Sequence, residues 1–311
     1  MQLEAFSNRL SKNQRHWSKW ARRRGISCYR LYDRDIPEFP LAIDWYEGQV
    51  HAQIFARKGV EPLSEAEEMQ IGEAIRQTLE IPAEALAFKT RQRQRGLAQY
   101  EKTGEAGRPL VVHEGGLKFE VDLHSYLDTG LFLDHRNTRA LVRERAAGKR
   151  LLNLFAYTGS FTVYAAAGGA HATTSVDLSN TYQAWTGRNL ALNGFGGDEH
   201  ELVRADAFAY LERAVLERRQ FGLIVLDPPS FSNSKKMLDT LDVQRDHPRL
   251  IEACLKLLSP KGQLIFSTNR RGFKLDPGVE AMARCEEITR LTLPEDFQRH
   301  TIHRCWILQP S

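Results

Sequence analysis

The chain has 311 residues, 42% hydrophobic and 26% charged, enough for one large or two modest domains with a sizeable core. No apolar run is long enough to span a bilayer and the first residues lack a signal-peptide core, so a cytoplasmic protein with no membrane partner is expected. Its four cysteines, Cys28, Cys254, Cys285 and Cys305, form no CxxC pair, which argues against a zinc site or a disulfide framework. The net charge is only +4, but it is unevenly spread. The first thirty residues carry Arg9, Lys12, Arg15, Lys19, Arg22, Arg23, Arg24 and Arg30 against one acid, Glu4. A second cluster is Lys89, Arg91, Arg93, Arg95 and Lys102, and a third is Lys235, Lys236, Arg270, Arg271 and Lys274. Any one of these reads as a solvated face; three together in a near-neutral chain read as a footprint for a polyanion.

Residues 7–25 read as a basic amphipathic helix, with Leu10, Trp17, Trp20 and Ala21 on one face and Gly25 ending it. Strand-like segments follow at Tyr29–Tyr32, Leu41–Tyr46 and Val50–Ala56, the last two forming a hairpin that turns at Glu47-Gly48. Ser64 and Glu67 form a capping box for a helix running to Leu79. Further strands are read at Leu86–Thr90, Leu110–Glu114 and Leu117–Leu123, and the basic segment Gln92–Pro109 as a mobile surface loop. From about Tyr126 strands alternate with helices: Arg150–Phe155, Thr173–Asp177, Glu201–Arg204, Phe221–Asp227, Gly262–Thr268, Ile288–Leu293 and Thr301–Leu308. The short connection Pro294–His300 requires the last two strands to pair antiparallel. The expected architecture is a basic N-terminal helix (1–27), a small α+β domain (28–124) and a Rossmann-like doubly wound α/β domain (125–311) of seven strands ending in an antiparallel hairpin. That pattern is the one of class I methyltransferases.

In an open parallel sheet, ligands sit at the carboxyl ends of the strands where strand order reverses. Here those ends are Asn153–Ser160 and Asp227-Pro228-Pro229-Ser230-Phe231. The first loop has a single glycine, Gly159, too few for a pyrophosphate. S-adenosylmethionine has no phosphates, so one glycine suffices to let its methionine part lie against the backbone. Asp177 ends the next strand about twenty residues on, where an acid grips ribose hydroxyls. Asp206 follows the third strand, where an acid accepts from an adenine amino group; each aspartate alternatively caps the following helix. Arg136 can pair with the methionine carboxylate or sit in a surface ion pair, and Phe132 can wall the pocket. The candidate cofactor-binding set is therefore Phe132, Arg136, Phe155, Tyr157, Thr158, Gly159, Asp177, Leu178, Asp206, Ala207 and Asp227.

The runs Tyr126–Arg136, Asn153–Ser160, Ser175–Ser179, Asp227–Lys235, Asp242–His247 and Asn269–Phe273 closely resemble one family. It is the C-terminal half of the bacterial bifunctional 23S rRNA large-subunit methyltransferase K/L, and the likeness extends over essentially the whole chain. The resemblance implies S-adenosylmethionine-dependent formation of 7-methylguanosine in domain V of 23S rRNA. Nothing here corresponds to the family's N-terminal N2-guanine methyltransferase half, so a stand-alone K-type chain is expected, with a separate N2-guanine methyltransferase as a possible partner. The substrate implied is 23S rRNA or a large-subunit assembly intermediate. Asp227, Pro228, Pro229 and Phe231 are the candidate catalytic residues, Asp227 binding the guanine edge or only shaping the turn, and Phe231 stacking on the base. Arg15, Lys19, Arg22, Arg23, Lys89, Arg91, Arg93, Arg95, Lys235, Arg270 and Arg271 are the candidate RNA contacts.

Two competing readings stand beside this one. A 5-methylcytosine enzyme needs a cysteine thiolate at the proline motif or the end of the fifth strand. Those positions read Asp227–Phe231 and Phe266–Asn269, without cysteine. Cys254 reads as core, and Cys285 and Cys305 as remote from both motifs. A non-catalytic RNA-binding or ribosome-assembly factor is the other; the set Asp177, Asp206 and Asp227 argues against lost cofactor binding.

Overall fold

The computed structural model describes residues 2–55, 63–91, 107, 109–126, 128–232 and 240–310. The chain divides into two compact units. The first comprises residues 1–116, 121–129 and 295–299; the second comprises 117–120, 130–294 and 300–311. Among the described residues no helix is long and apolar enough to cross a membrane.

In the first unit, helix α1 (Leu3–Arg24) buries Phe6, Leu10, Trp20 and Ala21 and leaves its cations outside. Gly25 ends it in the left-handed conformation with φ 65°, returning its amide to Ala21 and Arg22 carbonyls. A four-stranded sheet follows: β1 (Cys28–Asp33), β2 (Leu41–Tyr46), β3 (Gln49–Phe55) and β4 (Leu86–Arg91), in that spatial order. The β2–β3 hairpin turns at Glu47 and Gly48, both with positive φ, as a two-residue turn matched to strand twist requires. β3 and β4 are parallel, so the chain must cross over between them, and α2 (Glu65–Leu79) lies in that connection. Its capping box is present: the Ser64 hydroxyl accepts from the Glu67 amide, and Glu67 accepts from the Ser64 amide. Segment 295–299 belongs to this unit: Glu295 accepts from the Trp20 indole and Arg24, and Asp296 accepts from the Arg30 amide at 2.9 Å. Strands β5 (Leu110–Glu114) and β6 (Leu117–Val121) come next in the chain. The predicted loop Gln92–Pro109 lies almost wholly outside the described residues.

The second unit is a three-layer α/β domain. In chain order it contains α3 (Arg136–Arg145), β7 (Arg150–Leu154), α4 (Ser160–Ala167), β8 (Ala172–Asp177), α5 (Asn180–Leu192), β9 (His200–Arg204), α6 (Ala207–Leu216) and β10 (Phe221–Leu226). It continues with the short strands β11 (Phe231–Ser232) and β12 (Leu241–Asp242), then α7 (Val243–Lys256), β13 (Leu258–Thr268), α8 (Pro277–Met282), β14 (Ala283–Glu287), α9 (Thr289–Thr292) and β15 (Arg304–Pro310). The sheet order is β9-β8-β7-β10-β13-β15-β14, parallel except for β15, which runs antiparallel to both neighbours. Successive strand residues point to opposite faces, and both faces are covered. Leu152, Leu154, Ile224, Leu226, Leu264 and Phe266 pack with residues of α6 and α7, while Leu151, Leu223, Val225, Ile265 and Ile307 pack with Val142, Phe161 and Ala165.

One predicted strand is misplaced. Ile288–Leu293 is not a strand: Thr289–Thr292 is a helical turn, and the edge strand is Ala283–Glu287. β-Branched residues in that segment favoured the strand reading, but pairing decides. The edge strand pairs on one side only, matching Ala283 to Pro310 through Glu287 to Trp306 in the β15 register, while Ile288 is buried as a core plug. Sixteen residues (288–303), not seven, therefore join the last two strands, and they still pair antiparallel.

Candidate active site

Strand order reverses between β7 and β10, and their carboxyl ends lie side by side, with Leu154 opposite Leu226. The loop leaving β7 is unusual. Phe155, Tyr157 and Gly159 have φ of 56°, 52° and 74°, so two of its three left-handed residues are bulky L-residues. Such conformations cost on the order of 1–3 kcal/mol each and persist only when the surroundings over-determine them. They are over-determined here. The Ala156 amide donates to the Val176 carbonyl at 3.0 Å and the Thr158 hydroxyl to the Gly130 carbonyl at 2.6 Å. The Tyr157 and Thr158 carbonyls accept from Thr186 at 3.1 Å and from Asn189 at 2.9 Å, and the Gly130 amide donates to the Tyr157 hydroxyl at 2.9 Å. Phe132 is 42% exposed with its ring 5.1 Å from that of Tyr157, so an aromatic wall stands at the mouth of the loop.

At Gly159 glycine is required twice over, by its φ and because a Cβ there would collide with the buried Thr186 side chain. Gly159→Ala should therefore destabilise the fold by about 2–4 kcal/mol, the sum of left-handed strain and overpacking. Urea unfolding measures it; a change under about 0.5 kcal/mol would contradict this account of the loop.

Asp177 closes β8 and receives two amides, Tyr157 on Oδ2 and Ser179 on Oδ1, each at 2.9 Å. It does not cap α5; Ser179 does, accepting from the Tyr182 amide. Burial pushes the Asp177 carboxyl from 3.8 up to about 6, against the lowering by the Ser179, Tyr157 and Leu178 amides. An ionised carboxylate is thus held partly desolvated at the β8 end, with lone pairs left to accept hydroxyl donors. Asp206, in contrast, does cap its helix: Oδ1 accepts from the Phe208 and Ala209 amides at 2.9 and 3.2 Å. Arg136 opens α3 and is buried, not part of an exposed helix face. Leu178 is half-buried beside Asp177, and Ala207 is buried at the start of α6.

Asp227 follows β10 with its side chain 26% exposed. The Ser267 hydroxyl donates to its Oδ1 at 2.6 Å, and His135 Nε2 lies 3.5 Å from its Oδ2. Pro228 is buried, Pro229 is half-buried, and Phe231 is 52% exposed in β11, which pairs with β12. The Ser230 hydroxyl donates to Asn269 Oδ1 at 2.6 Å, tying the β10 exit to the β13 exit.

No local sequence signal singles out His135 or Ser267 within the runs that contain them. Leu133-Asp134-His135-Arg136 was visible as part of a motif, but only the antiparallel β15 brings His303 to it. The rings of His135 and His303 stack with centroids 4.3 Å apart, and His303 Nδ1 meets Asp134 Oδ2 at 2.9 Å. The same topology corrects the reading of Cys305 as remote. It pairs in register with Ser267, the residue that holds Asp227. It is nevertheless fully buried, and burial and the Asp227 charge both push its thiol up, away from thiolate. Cys254 is fully buried core, and burial pushes its thiol up as well.

The candidate RNA contacts fall in both units. Arg15, Lys19, Arg22 and Arg23 are exposed on α1. Lys89 is turned inward, 8% exposed, with its ammonium donating to the His124 carbonyl, so that charge does not face solvent. Arg270 pairs with Asp242 at 2.8 Å, and Arg271 is exposed. The Arg91 side chain, Arg93, Arg95 and Lys235 lie outside the described residues.

A seven-stranded sheet with a reversed penultimate strand and an acid closing its second strand defines a class I S-adenosylmethionine-dependent methyltransferase. A family profile described as S-adenosylmethionine-dependent methyltransferase matches residues 29–298. The chain is 54% identical over 306 residues to ribosomal RNA large subunit methyltransferase K of Neisseria meningitidis serogroup B, covering 98% of this chain and 86% of that protein. It is 52% identical over 317 residues to ribosomal RNA large subunit methyltransferase K/L of Methylococcus capsulatus, covering 100% of this chain but 43% of that protein. The crystal structure of a methyltransferase complexed with S-adenosylhomocysteine superposes with a TM-score of 0.79 at 26% identity, covering 99% of this chain and 82% of that one. The chain belongs to the family of ribosomal RNA large subunit methyltransferase K.

The residues of the β7 and β8 ends fit S-adenosylmethionine, because a raised, amide-held carboxylate is relieved by accepting from vicinal hydroxyls. When bound, that cofactor supplies an electrophilic methyl group on a sulfonium.

Proposed function

We propose that the chain methylates N7 of a guanine in 23S rRNA, either as free RNA or within a large-subunit assembly intermediate in the cytoplasm. The observation that carries the choice of base is the chemistry of the β10 exit, where Asp227 supplies a carboxylate and Phe231 an exposed ring while the neighbouring Cys305 is not an activated thiol. Cytosine C5 needs a thiolate adduct, whereas guanine N7 has a lone pair and no proton to remove. The protein then has only to align the acceptor with the methyl donor and exclude water. Asp227 accepts from N1–H and the N2 amino group on the guanine edge opposite N7, and Phe231 stacks on the ring. Phe132, Arg136, Tyr157, Asp177, Asp206 and the backbone of Phe155–Gly159 hold the cofactor. The names of the K and K/L relatives support ribosomal RNA as substrate.

N7 is hidden in the deep, narrow major groove of A-form RNA, so the enzyme acts on an opened helix or an extruded base. An RNA fragment carrying 7-deazaguanosine at the target keeps its Watson–Crick edge but lacks the nucleophile. It should bind and accept no methyl group. Transfer to the deaza fragment at the normal rate would exclude N7.

The exposed cations of α1 are proposed to track the RNA backbone. Affinity should fall steeply with salt, by about 0.7 in log–log slope for each single-strand phosphate neutralised. Lys19→Glu with Arg22→Glu should reduce that slope and weaken RNA binding at least tenfold, with S-adenosylhomocysteine binding intact. A flat salt dependence in filter binding would sink the electrostatic part of the proposal.

A further inference from the structure

Behind Asp227 lies a buried polar cluster for which the proposed chemistry has no use so far. His135 Nε2 faces two carboxylates, Asp227 Oδ2 at 3.5 Å and Asp134 Oδ2 at 3.8 Å, neither of which can donate when ionised. Nε2 must therefore carry a proton. His135 Nδ1 lies 3.3 Å from the Thr138 hydroxyl, and Thr138 is fully buried one turn into α3. In a neutral ring Nδ1 is an acceptor, so Thr138 donates to it and fixes the tautomer. Behind the ring, His303 stacks on His135, gives Nδ1–H to Asp134, and meets Thr292 Oγ1 at 3.0 Å through Nε2. Each of the four ring nitrogens thus has a protein partner within 3.5 Å. Phe161 closes the far side, edge-on to His135 at 5.6 Å.

We infer that His135 is a positioning residue for methyl transfer, its Nε2–H and the Ser267 hydroxyl together clamping the Asp227 carboxylate in the orientation that meets the target base. The inference rests on the proposed role of Asp227. Ser267 hydrogen-bonds Oδ1, and His135 Nε2 stands 3.5 Å from Oδ2, so the two oxygens have different neighbours and the carboxylate is biased to one orientation. Burial holds the His135 imidazole below its ordinary range, with Asp227 and Asp134 opposing and His303 and Arg139 reinforcing that shift. The ring is therefore neutral at working pH. Protonation in acid would remove the Nδ1 acceptor and set a cation against the stacked His303.

The test compares His135→Phe, which keeps a ring to stack on His303, with His135→Gln, which keeps a donor near the Nε2 position, and with Asp227→Ala. His135→Phe should lower kcat at least tenfold while the KM for rRNA and the Kd for S-adenosylhomocysteine stay within about threefold. His135→Gln should recover most of that loss and lack the acid limb that His135 titration adds to the wild-type pH profile. The double variant His135→Phe/Asp227→Ala should be no slower than Asp227→Ala alone. If Asp227→Ala is impaired and His135→Phe is not, the positioning role falls and the Asp227 role stands. If neither is impaired, both fall. Should His135→Phe fail to bind S-adenosylhomocysteine, Thr138→Val decides: a kcat loss with unchanged cofactor affinity supports the clamp, and wild-type kcat overturns it.

Discussion

Binding of S-adenosylhomocysteine should weaken as pH falls through about 6, by roughly tenfold between pH 7 and pH 5. The group responsible is Asp177. Its folded carboxyl is raised from 3.8 to about 6 by burial, so it protonates where ordinary carboxylates remain charged. A protonated carboxyl keeps little capacity to accept two ribose hydroxyls while also accepting the Tyr157 and Ser179 amides. The stability of the ligand-free protein has the opposite sign. A folded pKa above the unfolded one means the native state binds the extra proton, so this contribution is fully present below about pH 3.8 and is lost as pH rises through about 6. At neutral pH the ionised side chain costs on the order of 3 kcal/mol relative to an unperturbed one, as an upper bound. Cofactor hydroxyls donating to it would offset part of that cost. Asp177→Asn should lower affinity about a hundredfold at neutral pH, for loss of two charge-assisted hydrogen bonds, and should flatten the pH dependence. Titration calorimetry across pH 5–8 measures both. A wild-type affinity independent of pH would remove Asp177 from the cofactor site.

Asp227→Ala should lose about 10²–10³ in single-turnover methyl transfer while the fold and the S-adenosylhomocysteine affinity survive. The reason is electrostatic. Methylation of N7 places positive charge on the guanine ring and makes its N1–H more acidic, so a carboxylate on that edge binds more strongly in the transition state than in the ground state. The Ser267 hydroxyl donates to the carboxylate at 2.6 Å before substrate arrives, so on the proposed role little reorganisation is left for the reaction itself. Loss of its partner leaves the buried Ser267 hydroxyl unpaired, at a stability cost of about 1–3 kcal/mol. Single-turnover rates under saturating cofactor separate the two effects. Full activity in this variant would show that Asp227 only shapes the turn.

Local signals were the legible ones. Ser64 and Glu67, Glu47-Gly48 and Gly25 encode cap, turn and stop within a few residues, and the chain does at each what its sequence indicates. The strand ends at Asn153–Gly159, Asp177 and Asp227 were legible because a parallel sheet puts them at one edge whatever the details. What escaped depends on pairing partners distant in the chain. The edge strand Ala283–Glu287 has little intrinsic strand character and exists because β15 offers it a ladder. His303 reaches His135, and Cys305 reaches Ser267, only through the antiparallel return of that same strand. The raised Asp177 carboxyl was likewise invisible, because desolvation is a property of the packed site and not of the residue.

Incubation of the purified protein with labelled S-adenosylmethionine and unmodified 23S rRNA, followed by digestion to nucleosides and mass spectrometry, tests the proposed function most directly. The account predicts label in 7-methylguanosine and in no other nucleoside. Label in 5-methylcytidine, or in another methylated guanosine, would contradict it.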